Sequence, residues 1–144
     1  MSVQQISVFL ENRPGTLKKM TGVLAAHSID LRATSLAETK DFGIARLIVD
    51  DVLGAINTLK ENDFVASLTP VLAIEIPDEA GGLDKLLDKF TDESVNIEYM
   101  YAFSGSKSAN NAYMIFRVAD TKAAEVRLTK AGVKILTQEE IAEI

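Results

Sequence analysis

The residues best suited to holding a ligand form a bend, Leu10-Glu11-Asn12-Arg13-Pro14-Gly15-Thr16-Leu17, between an alternating apolar stretch and a helical one. Pro14 fixes φ and has no amide to lose, while Gly15 accepts backbone angles that other residues resist. Thr16 follows as a candidate cap. A strand turning sharply into a helix leaves the first helical amides without intrahelical partners, at the positive end of the helix dipole. A small carboxylate fits such a place. The same geometry also serves as a plain strand-to-helix connection.

The bend recurs. Ile76-Pro77-Asp78-Glu79-Ala80-Gly81-Gly82-Leu83 keeps the apolar, amide-or-acid, glycine and leucine positions in step at an offset of 66 residues. Two copies of one unit are expected, 1–70 and 71–144. Other candidate chemistry is sparse. Glu98, Asp30 and Asp78 are acids that no serine-histidine constellation, metal cluster or nucleotide loop accompanies, so no enzyme is read. His27, the single histidine, falls in a last helical turn, where a cation meets the dipole favourably. The polar loop Ser104 to Asn111 lacks phosphate-loop spacing and joins two strands.

The elements that position these residues follow from periodicity. Ile6, Val8 and Leu10 alternate with polar residues as in a half-buried strand, and Leu17, Met20, Leu24 and His27 keep helical spacing. Strands Leu31 to Ala37 and Ile44 to Val49 are expected to pair across Thr39 to Gly43. Asp50-Asp51 offers cap chemistry for a helix carrying Val52, Ala55, Ile56 and Leu59, before a strand from Phe64 to Leu68. The second copy repeats the order: a strand through Leu72, Ile74 and Ile76, then a helix through Leu83, Leu86, Leu87 and Phe90. A strand with Ile97, Tyr99, Tyr101 and Phe103 on one face comes next, then Tyr113 to Val118, a helix from Asp120, a strand from Val133 to Leu136 and a tail helix from Gln138. The class is α+β, with βαββαβ written twice.

Composition narrows the partners. Net charge is −6, with no basic patch, which disfavours nucleic acid and anionic membrane. There are no cysteines, so disulfides, thiol catalysis and thiolate metal sites are excluded. No apolar run approaches the roughly 20 residues that cross a bilayer, and no secretory leader is read, so a cytoplasmic location is expected.

Over about residues 3 to 137 the chain resembles a tandem pair of ACT domains, ferredoxin-like modules that bind amino acids and regulate metabolic enzymes. Asn12 through Leu17 resembles the family's bend almost residue for residue, which implies that amides from Gly15 through Leu17 meet a ligand carboxylate. Asp30-Leu31 and Asn96-Ile97 resemble the family's entrance to the second strand, where an asparagine holds a ligand's amino group. Copy two departs from the pattern, with Ala80 in place of proline and Asp78 in place of asparagine at its Gly81-Gly82-Leu83 bend. The resemblance implies antiparallel sheets with helices on one face, side by side in an eight-stranded sheet. On that geometry Asn12 would face Asn96 and Asp78 would face Asp30, and like charge would oppose a carboxylate at the second pair. It further implies a non-catalytic regulator without a cofactor, acting in trans on a metabolic enzyme or through oligomerisation. The alternative is an interaction module with vestigial sites. Phe9, Ile44 and Ile48 fall where an open sheet face would lie, which makes a homodimer the expected assembly.

Overall fold

The computed structural model describes residues 2–103 and 110–144. The polar loop read at Ser104 to Asn111 therefore lies outside the described residues, apart from its last two positions. The elements are β1 (Val3–Glu11), α1 (Thr16–Ala26), β2 (Leu31–Glu38), β3 (Phe42–Val49), α2 (Val52–Glu61), β4 (Val65–Pro77), α3 (Gly82–Asp92), β5 (Tyr99–Phe103), β6 (Asn111–Arg117), α4 (Thr121–Lys130) and α5 (Gln138–Glu143). They form two compact units, Gln4–Thr69 and Pro70–Ile144, the latter with Met1–Val3.

In the first unit the strand order is β2-β3-β1-β4. β1 and β3 run antiparallel with Ile6 opposite Leu47 and Val8 opposite Ala45, so period-two alternation gathers these side chains on one face. Met20 and Leu24 of α1 and Ala55, Ile56 and Leu59 of α2 close over that face. Burying each large side chain contributes roughly 1.5–3 kcal/mol. The register of α2 is set at its start, where Asp51 accepts from the Gly54 amide at 2.9 Å. α1 ends where Ser28 adopts φ 56°, which returns the Ile29 amide to the Leu24 carbonyl at 3.1 Å.

The second unit repeats the construction. Leu72, Ile74 and Ile76 of β4 and Phe116 of β6 pack with Leu86 and Phe90 of α3 and Ala124 and Leu128 of α4. Phe90 and Phe116 place their ring centres 4.8 Å apart. Asp120 caps α4 by accepting from Ala123 at 3.0 Å, and Ser94, with φ 55°, ends α3 as Ser28 ends α1.

The expected eight strands are six among the described residues. The strands read at Phe64 to Leu68 and Leu72 to Ile76 are one, because Pro70 accepts the extended backbone and its carbonyl is taken by Arg117 Nη1 at 2.8 Å. The stretch from Val133 to Leu136 forms only a bridge, Ile135 to Ile74, and its buried residues Val133 and Leu136 are three apart, which a strand would put on opposite faces. β5 begins at Tyr99, not Ile97. Of the residues expected on an open face, Phe9 is exposed and Ile44 half-buried, whereas Ile48 is fully buried. The tail helix is present, with a reciprocal capping box between Thr137 and Glu140.

Leu47 is fully buried. Leu47→Ala is expected to cost about 2–5 kcal/mol, read as a lower denaturation midpoint at unchanged denaturant slope.

Candidate functional site

Both bends have the same backbone. Gly15 and Gly81 stand at the helix N-caps with φ 87° and 82°, the left-handed region in which a side chain would be strained. Each bend closes through equivalent bonds, the Lys19 amide to the Gly15 carbonyl and the Lys85 amide to the Gly81 carbonyl, both at 3.0 Å. Neither glycine supplies a side-chain cap. Among the described residues the amides of Leu17 and Lys18, and those of Leu83 and Asp84, have no protein acceptor.

Thr16 is not the cap the sequence suggests. Its hydroxyl donates back to the carbonyls of Glu11 at 2.8 Å and Arg13 at 3.0 Å, tying helix to strand. Copy two achieves the same closure by contact. Gly82 lies so near the Pro77 carbonyl that a Cβ there would stand 2.5 Å from its oxygen. Asn12 has a structural use that its sequence position did not reveal. Its Nδ2 donates to the Thr39 carbonyl at 3.2 Å and reaches the Lys40 carbonyl and Glu38 Oε2 at 3.4 Å, tethering the bend to the β2–β3 hairpin. Asp78 keeps the backbone part of this link, its amide donating to Asn110 O at 2.8 Å, but an ionised carboxylate has no proton to give those carbonyls.

Electrostatics separates the two bends. α1 has no acid in its first turn and carries Lys18 and Lys19 there and beyond, whereas α3 has Asp84 in its first turn. Arg13 pairs with Glu11 at 2.6 Å on the surface. Beside each bend lies a groove lined by matching positions. The first, about 340 Å³, includes Arg13, Thr16, Lys19 and Phe64; the second, about 230 Å³, includes Glu79, Gly82, Lys85 and Val133. Where the first unit has Phe9 and Phe42 in ring contact at 5.5 Å, the second has Glu75 accepting from Asn111 and paired with Lys134.

The second-strand residues lie elsewhere in each unit. Leu31 pairs with Val49, while Glu11 pairs with Phe42 and Glu38 with Gly43, so Asp30 and the Asn12 bend sit at opposite ends of one sheet. The length of β2 puts them roughly 20–25 Å apart. A single unit does not bring its own bend and strand entrance together. Asn96 and its neighbours Ser94 and Val95 line a separate cleft of about 270 Å³, and Ile97 packs on the second core. No group of three or more metal-ligating side chains exists among the described residues.

Two α+β units, each with a glycine bend between a strand and its following helix, define the class, and the sequence places the chain within it: residues 1–144 match the family described as ACT domain pair, and the chain belongs to that family of regulatory, amino-acid-sensing domains. A crystal structure of a protein from Bacteroides thetaiotaomicron is 37% identical, with a TM-score of 0.92 over 100% of this chain and 98% of that one. Two regulatory subunits of aspartate kinase share the fold. The one from Thermus thermophilus is 18% identical, with a TM-score of 0.64 over 91% of this chain and 93% of that one. The one from Thermus flavus is 17% identical, with a TM-score of 0.60 over 92% and 94%. No curated protein matches the chain.

The hydrogen bond to Glu75, and then that carboxylate's charge, raise the Lys134 ammonium above its ordinary value of 10.5. A lysine so held stabilises the fold below that pH and ceases to do so as pH climbs through its raised value. Because the ammonium faces solvent, the effect is small. The stability gap between wild type and Glu75→Gln is expected to narrow above pH 10.5, as followed by denaturant titration across pH. A constant gap would contradict it.

Proposed function

We propose that this chain is a non-catalytic regulatory protein that binds a small amino acid and relays its presence to a metabolic enzyme in trans or through its own assembly. The observation that carries the reading is the first bend. The Leu17 and Lys18 amides lack protein acceptors, no acid stands in the first turn, and a lysine does. A ligand carboxylate satisfies both the amides and the dipole there. The second bend, with Asp78 beside Asp84, receives a carboxylate less readily. In the second unit, the family's pattern makes Asn96 a contact for an amino group.

A thermal-shift panel of the amino acids tests the function. A member present at about 100 times its dissociation constant adds roughly 2.7 kcal/mol of stability. Calorimetry on Asn12→Ala and Asn96→Ala, each first checked for folding because Asn12 tethers the hairpin, is expected to show weakened binding in both. Unchanged affinity in both variants would remove the site assignment, and a flat panel would favour an interaction module instead.

That second reading draws on Phe9 and Phe42, which expose 49% and 48% of their surface while their rings meet at a tilt. Such a patch suits association of two copies in a twofold interface. Light scattering at high micromolar concentration is expected to give a dimer mass, and a monomer would contradict it.

A further inference from the structure

The two units close their sheets differently. In the first unit the closing segment is the start of β4, a regular strand that carries Val65 and runs on through Pro70. In the second unit the matching stretch begins at Val133 and meets β4 through the isolated bridge of Ile135 to Ile74. The Leu136 amide donates to the Ala73 carbonyl at 2.8 Å, whereas the Glu75 amide stands 3.4 Å from the Lys134 carbonyl, beyond the usual length. Backbone pairing alone holds this segment loosely.

A side chain supplies what the ladder lacks. Glu75, which exposes only 12% of its side chain, accepts from Asn111 Nδ2 of β6 through Oε1 and pairs with Lys134 Nζ through Oε2. One carboxylate therefore joins β4, β6 and the closing segment. Glu140 of α5 adds a second negative charge in range of the same ammonium. The matching positions of the first unit are Phe9, Phe42 and Val65, none of them charged, and there the closing segment is itself a hydrogen-bonded strand beside β1.

The segment has a pivot at one end and a buried anchor at the other. Gly132 takes φ 88° just after α4, and Lys89 Nζ fixes the residue before it by donating to the Ala131 carbonyl at 2.8 Å. The Gly132 and Val133 amides bond back to the Thr129 and Leu128 carbonyls at 3.0 Å, so these residues belong with α4. Past them Leu136 and Ile141 are buried, and the capping box of Thr137 and Glu140 makes α5 a unit of its own. Lys134 also lines the groove of about 230 Å³ beside the second bend, together with Glu79, Gly82 and Lys85.

We propose that residues 134–144 form a strap that opens as one unit about Gly132 and is latched shut by the ion pair of Glu75 with Lys134. Opening takes Lys134 out of the second groove, so that groove is gated by the strap. The first groove has Val65 of a continuous strand at the matching place and stays formed. Local opening of this kind is read by amide exchange, because amides released in one event share one opening equilibrium.

The test is hydrogen exchange of the 15N-labelled full chain, followed residue by residue. In the wild type the Leu136 and Ile141 amides are expected to share one protection factor, lower than that of Leu128 in α4. Glu75→Gln, which keeps an oxygen for Asn111, and Lys134→Met are each expected to lower protection at Leu136 and Ile141 severalfold and by the same factor, with Leu128 unchanged. The double variant is expected to lower it no further than the single ones, as for two partners in one interaction. Unequal factors at Leu136 and Ile141, an equal fall at Leu128, additive effects in the double variant or no change in any variant would each overturn the strap.

Discussion

Each unit has one apolar sheet face and two helices with which to cover it, and the rest of the structure depends on that closure. Val8 and Leu47 can be dry only if α1 and α2 lie across them, so both connections from strand to helix must turn sharply at the sheet's ends. At one end the turn is made by a left-handed glycine, at the other by an aspartate cap. The two solutions have opposite chemical results. The aspartate satisfies its helix from within the chain, while the glycine leaves amides available to something else.

The repeat extends to small backbone details. Ser28 and Ser94 both take positive φ, Asp51 and Asp120 both cap, and Asp63 and Gly132 both turn with φ 66° and 88° before the closing segment. Against this matching background the exchanges stand out. Asn12 for Asp78 removes a donor from the hairpin, Thr16 for Gly82 replaces a hydroxyl bond with direct contact, and Asp50 for Ala119 removes a carboxylate that accepts from the Asp30 and Asp51 amides. β5 starts at Tyr99, just after the Glu98 amide meets the Arg117 carbonyl at 2.8 Å.

Much of this was legible in the sequence, because alternation and helical spacing report burial directly. Ile6, Val8, Leu10, Met20 and Leu24 are buried where the pattern puts them, whereas Leu17, on the same helical stripe, is exposed. The errors came where tertiary context outweighs pattern. The expected boundary between the copies falls at Pro70, since proline punctuates, but an extended proline lets a strand continue. Val133 to Leu136 alternates like a strand, yet a single bridge pairs it. Thr16 sits where a cap is common, but its hydroxyl points backward, a direction that residue type does not encode. Asp50 against Ala119 was visible in the aligned copies.

The Asn12 side chain carries one further implication. Its amide nitrogen spans the gap to the hairpin carbonyls, in an exposed position where slow hydrolysis of the amide can reach it. Deamidation would turn the donor into an acceptor facing three acceptors, and the first bend would acquire the chemistry that Asp78 already gives the second. Ageing of the chain would thereby erase a difference between its halves that the gene maintains.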